Sequence, residues 1–145
     1  MISADNASLV TVFFIDQQSS WLLTGTDNDQ RHAIALGVDN IRSDFDTPLA
    51  MERAIENIED NIMPLAKVLP AESMLVITGP GADYLNKLTP NPHLTRDWVE
   101  MQFGEMAMAA ERQHRLFDVP TSAALLMVRE AMHHLDFDQA QLTPQ

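Results

Sequence analysis

Two polar segments, each directly after an apolar run, contain the residue types best suited to chemistry. Asp16 follows the first run, and Thr78-Gly79-Pro80-Gly81-Ala82-Asp83 follows the second. Ligands gather beyond the carboxyl ends of parallel strands in open sheets, and backbone N–H groups at the start of a helix suit an anion. Asp16 and Asp83 are therefore expected at this edge of the sheet. The candidate ligand-binding residues of the turn are Thr78, Gly79 and Gly81.

The glycine turn lacks the marks of a nucleotide-binding loop. No lysine of the phosphate-loop kind stands in it, and Tyr84 occupies the position of the third glycine in a dinucleotide fingerprint. A plain connection between a strand and a helix is the alternative interpretation, and it requires no ligand.

The charge balance argues against polyanionic partners. The chain has 21 acidic and 9 basic residues and a formal net charge of −12, spread along its whole length. The long-range attraction that supplies non-specific binding to nucleic acid would here be a repulsion, and the same holds for anionic membranes. We therefore expect neither nucleic acid nor a membrane as a partner.

Cysteine and histidine offer no metal site by spacing. The chain has no cysteine, which excludes a disulfide framework, a thiolate metal site and a thiol nucleophile. Adjacent His133 and His134 would point about 100° apart on a helix, and the other histidines are solitary. From these residues we predict no metal site and no cofactor.

Length and composition indicate one domain. The 145 residues suffice for one ordinary core and are too few to require two, so we expect a single α/β domain over residues 1–145. The first residues lack a basic region followed by an apolar segment, and no apolar run reaches the roughly 18 residues of a membrane span. The expected location is the cytoplasm.

Two apolar runs predict strands buried on both faces. Leu9–Ile15 and Met74–Ile77 are apolar almost without alternation, a pattern typical of parallel strands covered by helices. Shorter, more mixed strands at Ser20–Thr24 and Arg31–Leu36, joined by the polar turn 25–30, complete a three-strand meander with the first run. Their mixed composition places these two toward an edge of the sheet.

A long helix is predicted between the meander and the fourth strand. Thr47 supplies a hydroxyl cap and Pro48 the first helical position, and apolar residues then recur at steps of four and three as far as Leu69. Pro64 predicts a break near residues 61–63. Because strand–helix–strand units are right-handed crossovers between parallel strands, the predicted sheet order is third, second, first, fourth.

The C-terminal half is predicted to be mainly helical. A short helix over Ala82–Leu88 is followed by a helix over Thr95–Leu116, and a last helix is capped by Thr121 and ends near Leu135. The tail from Asp136 carries no predicted element.

Residues 97–103 are the ambiguous part of this assignment. The residues from Val99 to Phe103 alternate strictly between apolar and polar types, so a fifth strand ending at Gly104 is the alternative to a helix. The predicted class is α/β, with a mixed sheet of four or five strands, a three-strand meander, a crossover helix and C-terminal helices.

The order three strands, helix, strand, helix resembles the ribonuclease H-like fold over residues 9–88. The resemblance implies a divalent-metal phosphodiester hydrolase with carboxylates on the first strand, on the first helix and at the end of the fourth strand. Asp16 and Glu52 match the first two positions, whereas Thr78 stands at the third and Asp83 follows several residues later. In this alternative Asp16, Glu52 and Asp83 are catalytic, and Mg²⁺ or Mn²⁺ is the cofactor.

A second resemblance is to bacterial proteins similar to the middle domain of archaeal and eukaryotic peptide release factors, including the host-attachment group. It rests on the first strand with its meander, the helix Met51–Leu69, the segment Leu75-Val76-Ile77-Thr78-Gly79-Pro80-Gly81, and Leu88-Thr89-Pro90. The catalytic Gly-Gly-Gln tripeptide of release factors is missing. The resemblance therefore implies a translation-related or ribosome-binding protein without that catalysis.

Methionines in the last two helices are candidate partner-binding residues. A flexible thioether surface can receive a partner helix or a second subunit, and packing in the core is the alternative. The candidates, with one histidine, are Met101, Met106, Met108, His114, Met127 and Met132. Because the chain offers no complete catalytic set, the leading hypothesis is a non-enzymatic interaction or adaptor protein that forms a homodimer or binds a protein partner.

Overall fold

A computed structural model describes residues 10–25, 27–69 and 73–144. In this part of the chain six strands form one sheet. The strands are β1 (Val10–Ile15), β2 (Ser20–Thr24), β3 (Gln30–Ile34), β4 (Met74–Thr78), β5 (His93–Thr95) and β6 (Gln139–Thr143). The helices are α1 (Pro48–Ile62), α2 (Pro80–Asn86), α3 (Arg96–Glu111) and α4 (Val119–His134), with a 3-10 segment over Met63–Val68.

The sheet is mixed, and its order is β3-β2-β1-β4-β6-β5. β1 and β4 run parallel, with Val12 opposite Val76, and β4 and β6 are also parallel. The pairs β1–β2, β2–β3 and β5–β6 are antiparallel. The predicted α/β class, the meander and the order third, second, first, fourth are confirmed.

Among the residues that the structure describes, the helices cover one face of the sheet and leave the other uncovered, which corrects the expectation of strands buried on both faces. Alternate residues such as Phe13, Ile15 and Ile77 are buried under the helices, where α4 contacts each of the other three helices. On the second face of β1 and β4 the side chains are half-buried or exposed, and Met74 is 59% exposed. An unbroken apolar run does not reveal which face is covered, because both faces are apolar in either case.

The crossover helix follows the sequence pattern closely. The Oγ1 of Thr47 accepts a hydrogen bond from the N–H of Ala50 at 3.0 Å. α1 ends at Ile62, and the chain continues as the 3-10 segment that contains Pro64. The predicted break near residues 61–63 is therefore confirmed, and its cause is the proline, which cannot donate the α-helical hydrogen bond.

The C-terminal half contains the predicted helices and differs from the prediction in two additional strands, β5 and β6. Residues 97–103 lie in α3, which confirms the predicted helix and excludes the alternative strand ending at Gly104. Their alternation does not mark a buried face: Val99 is 1% exposed but Met101 is 61% exposed. The tail forms a strand, β6, whose Ala140 and Leu142 are buried against the helices while Gln139 is exposed. Two small apolar side chains among glutamines are too weak a pattern for a strand prediction.

Three predicted features fall on residues outside the described ranges. These are the start of the first strand at Leu9, Thr26 in the turn after the second strand, and Pro70 before the fourth. Within the described ranges, the helices are all too short or too polar to cross a lipid bilayer.

Asp118 caps α4, which corrects the prediction of Thr121 as the cap by three residues. The Oδ1 atom of Asp118 accepts a hydrogen bond from the N–H of Thr121 at 2.8 Å, and Pro120 stands in the first turn, where a proline is tolerated. Hydrogen bonding from Thr121 lowers the pKa of the Asp118 carboxyl below its ordinary value. The carboxylate form is thus the better cap.

We expect Asp118→Ala to reduce the free energy of unfolding by about 1 kcal/mol at neutral pH, because it removes the acceptor of the cap. Because the pKa of Asp118 is lower in the folded state, the stabilisation from its ionised carboxylate is complete above the ordinary aspartate pKa. This stabilisation is lost as the pH falls through the folded-state pKa. Asp118→Asn keeps an acceptor and should cost little. Urea unfolding of the three proteins at neutral and at acidic pH measures this, and an equal loss in both variants would contradict it.

Candidate functional site

Asp16 and the glycine turn lie at the same edge of the sheet. β1 and β4 are adjacent and parallel, with Phe14 opposite Thr78, so both strands end at this edge. Gly79 has φ +84°, and a Cβ there would lie 2.8 Å from the carbonyl oxygen of Ile15. The turn therefore packs directly on the end of β1 and needs glycine at this position.

A loop over residues 37–40 holds the segment that carries Asp16. The N–H of Val38 donates to the carbonyl of Asp16 at 3.0 Å, and that of Asp39 to the carbonyl of Gln17 at 2.8 Å. The side-chain amide of Asn40 donates to the carbonyl of Gln18 at 2.6 Å. We call this arrangement the 37–40 clasp. It fixes the backbone at Asp16 and at the two residues that follow it. The Oδ1 of Asp16 accepts a hydrogen bond from the N–H of Gln17 at 2.8 Å.

Asp16 lines an open cavity of about 300 Å³ on the sheet face that the helices leave uncovered. The cavity combines a carboxylate, a guanidinium and an apolar floor. The guanidinium carbon of Arg31 lies 3.5 Å from the ring centroid of Trp21, a cation–π contact. The lining residues are Phe14, Asp16, Trp21, Leu23 and Arg31. We call this the Asp16–Arg31 cavity.

Polar groups of the glycine turn already have partners within the protein. The N–H groups of Ala82 and Asp83 donate to the carbonyl of Gly79 at 3.0 and 3.3 Å, and the hydroxyl of Thr78 donates to the carbonyl of Thr143 at 2.9 Å. Gly81 packs against the side chain of Ile15. Ligand contact by Thr78, Gly79 and Gly81 stays a prediction.

The structure does not bring Asp16 and Glu52 into one cavity. Glu52 lies on α1, on the helical side of the sheet, and lines a cavity of about 190 Å³ between α1 and α3 together with Phe103 and Glu111. Asp83 lies in the first turn of α2, close in sequence to the glycine turn. Glu52 is thus apart from Asp16, and the joint catalytic role of the three carboxylates stays untested.

The candidate partner-binding residues divide into two groups. Met106, Met127 and Met132 are buried in the core, which is the alternative considered above. Met101 and Met108 are exposed on α3 by 61% and 58%, and His114 is also exposed. Binding of a protein partner or a second copy stays a prediction, and only the exposed group could take part in it.

A polar cluster around the buried Glu130 joins α1 to α4. The Nε2 atom of His134 lies 2.9 Å from Oε2 of Glu59 and 3.1 Å from Oε1 of Glu130. Arg129 donates to Oε2 of Glu130 at 2.6 Å and to Glu100 at 2.9 Å. Burial raises the pKa of the Glu130 carboxyl; Arg129 opposes the rise and Glu59 adds to it.

Sequence reasoning missed this cluster. Glu130 and His134 stand four residues apart, which places both on one face of α4, and this spacing was the available signal. Nothing in the sequence connects them to Glu59, which is 75 residues from His134.

Comparison with known proteins finds solved structures of similar fold but does not assign the chain to a family. No protein-family model matches the chain, and no curated protein matches it. Solved structures of similar fold include the Ppx/GppA enzyme of Aquifex aeolicus, with a TM-score of 0.68, 16% identity and 97% of this chain covered. An exopolyphosphatase-like protein has a TM-score of 0.67, 12% identity and 95% coverage. The chain spans 58% and 55% of the lengths of these two proteins.

These neighbours correct both resemblances drawn from the sequence. The solved structures named above are a Ppx/GppA enzyme and an exopolyphosphatase-like protein, and these are not release-factor-like, host-attachment or ribonuclease H-like proteins. The elements that carried the resemblances, a meander followed by a crossover helix and a parallel strand, are real. They recur in unrelated proteins, however, because short connections and right-handed crossovers permit few topologies.

Proposed function

We propose that the chain forms the substrate-binding part of a phosphohydrolase, with a phosphate-bearing compound bound in the Asp16–Arg31 cavity. The observation that carries the proposal is that one carboxylate and one guanidinium, of Asp16 and Arg31, line the same cavity on an open sheet face, at the carboxyl end of β1. The likeness in fold to proteins described as Ppx/GppA phosphatases and as exopolyphosphatase-like supports it.

Arg31 supplies the recognition of phosphate in this proposal. A guanidinium presents paired donors that match two phosphate oxygens, and it stays protonated at any physiological pH. Its stacking on Trp21 at 3.5 Å restricts the side chain to one plane and so lowers the entropy lost on binding. A phosphate held there would lie over the same cavity floor that Asp16 borders.

Asp16 supplies a ligand for a divalent cation. Mg²⁺ and Mn²⁺ prefer oxygen ligands, and Mg²⁺ is commonly held by one or two carboxylates together with substrate phosphates and water. A half-buried carboxylate whose backbone is fixed by the 37–40 clasp fits that requirement. The cation would offset the charge of the phosphate in the reaction, while the chain orients the substrate through Asp16 and Arg31.

The strongly acidic surface limits the substrate to small molecules. A net charge of −12 repels long polyanions such as nucleic acid. A short phosphate compound carried as its Mg²⁺ complex has much of its charge neutralised before it reaches the cavity, so that repulsion is weaker for it. We therefore propose pyrophosphate, short polyphosphates or small phosphate esters as the substrate class.

Binding of pyrophosphate in the presence of Mg²⁺ tests the proposal without requiring turnover. By isothermal titration calorimetry, Arg31→Gln should weaken binding about 10–100-fold, the effect of losing one charge-assisted contact. Asp16→Asn should remove the dependence of binding on Mg²⁺.

Arg53→Gln is the matched control, because Arg53 is exposed on α1, away from the cavity. Its affinity should equal that of the unmodified chain. Equal loss of pyrophosphate affinity in Arg31→Gln and Arg53→Gln would mean that only the overall charge of the protein matters. Unchanged affinity in Arg31→Gln and Asp16→Asn would exclude the cavity as the binding site.

A further inference from the structure

The cluster of Glu59, Glu130 and His134 lies at the end of the sheet opposite to Asp16. α1 and α4 are the connections that lead into the starts of β4 and β6, so both helices end where the parallel strands begin. Glu59 stands in the last turn of α1, and His134 is the last residue of α4. A function of this cluster is therefore separate from the proposed phosphate site.

One nitrogen atom faces two carboxylates in the cluster. The Nε2 of His134 lies within hydrogen-bond distance of Glu59 and of Glu130, at 2.9 and 3.1 Å. A histidine carries at most one proton on this nitrogen, so a single N–H is shared between two acceptors. When Nε2 is unprotonated, it and the two carboxylate oxygens are three lone-pair atoms within 4.8 Å of one another. A cation with several coordination positions matches such a set better than one proton does.

The spacing of the three ligand atoms approaches that of a metal centre. A tetrahedral Zn²⁺ ion with bonds of about 2.0–2.2 Å to nitrogen and oxygen separates its ligands by about 3.3–3.6 Å. The two His134 distances are shorter by a few tenths of an ångström, and all three ligand atoms lie within 4.8 Å of one another. Small rotations of Glu59 and His134, whose side chains are 31% and 19% exposed, would open the space for the ion.

We propose that Glu59, Glu130 and His134 form a site for a transition-metal ion, with Zn²⁺ the best match. The imidazole nitrogen distinguishes this site from an ordinary acidic patch, because nitrogen is a ligand that Zn²⁺ accepts readily and that Mg²⁺ and Ca²⁺ avoid. Two carboxylates and one neutral imidazole balance the charge of a divalent ion.

Arg129 acts as a positioning residue of this site. Its guanidinium binds Oε2 of Glu130, whose side chain is 1% exposed, and thereby turns Oε1 toward His134. Glu100 binds the other side of Arg129 and holds it in place. Outer hydrogen bonds of this kind orient metal ligands in proteins. A bound ion would then link α1 directly to α4.

Titration of the chelator-treated full chain with Zn²⁺ tests the site. Calorimetry should give one ion per chain, and saturating Zn²⁺ should raise the melting temperature by about 5–10 °C, because the ion binds the folded state alone. His134→Gln and Glu59→Gln should each weaken the affinity at least about tenfold. Co²⁺ should give the visible absorption of a tetrahedral complex.

The chain contains a matched control for the histidine. His133 is adjacent and exposed, and its ring contacts that of His134 edge-on, but it contributes no atom to the cluster. His133→Gln should bind Zn²⁺ normally, and so should Asp16→Asn, which separates this site from the proposed phosphate site. Equal weakening by His133→Gln and His134→Gln, or unchanged affinity in Glu59→Gln, would overturn the proposal. Should His134→Gln fail to fold, the Glu59→Gln variant decides.

Discussion

Gly37→Ala is expected to destabilise the protein by about 3 kcal/mol, at the upper end for overpacking in a rigid environment. A Cβ at this position would collide with the backbone carbonyls of Asp16 and Gln17, which are atoms that cannot rotate away. The 37–40 clasp would have to open, and its hydrogen bonds from Val38 and Asp39 would lengthen or break. Urea unfolding of the variant measures the loss directly.

Gly104→Ala provides the matched control for that substitution. Gly104 lies inside α3, and a Cβ there would meet no atom within 4 Å. Alanine is the better helix former, so this variant should gain about 0.5–1 kcal/mol. If both variants changed stability in the same direction, the close approach of Gly37 to the Asp16 segment would not be a constraint on the fold.

Arg129→Met is expected to cost about 3 kcal/mol, because it leaves the carboxylate of Glu130 buried without its cationic partner. Glu130 is 1% exposed and Arg129 21% exposed, so water cannot replace the lost hydrogen bond of 2.6 Å. The variant also loses the stacking of the guanidinium on Phe103 at 3.8 Å. Unfolding should be measured with a chelator present, so that no metal ion masks the effect.

A double substitution tests the reason for that cost. Adding Glu130→Gln removes the buried charge and should return about 1–2 kcal/mol, a coupling expected only for groups in contact. Arg112→Met at the exposed end of α3 is the control and should stay within about 0.5 kcal/mol of the unmodified protein. A cost below about 1 kcal/mol for Arg129→Met would class the pair with ordinary surface salt bridges.

The fold was predictable wherever a local pattern determines an element. Thr47 and Pro48 start α1, Pro64 ends it, and the apolar β1 and β4 lie side by side as the crossover rule requires. β6 was not predictable, because Ala140 and Leu142 are buried through pairing with β4 and contact with α2, which are distant in sequence. The alternation at residues 99–103 does not produce the alternative strand. These residues are helical, and Thr95 caps α3 by accepting a hydrogen bond from the N–H of Trp98.

The candidate sites were predictable only in part, for a similar reason. Asp16 and the glycine turn could be placed at one edge of the sheet, because strand order and direction follow from connectivity. Arg31, which lines the same cavity, could not be found from the sequence. Its position depends on the pairing of β2 with β3 and on which face of the sheet is exposed. The cluster around Glu130 depends on the packing of α1 on α4, which no local pattern specifies.

The two edge strands of the sheet limit aggregation of the protein. An unpaired strand edge offers backbone donors and acceptors to another chain, and natural proteins shorten or charge such edges. β5 is three residues long and leads straight into α3, so it offers almost no length for docking. β3 carries the exposed, charged Arg31 in its five residues. Both edge strands are therefore poor templates for strand addition and aggregation, although the helices leave one face of the sheet uncovered.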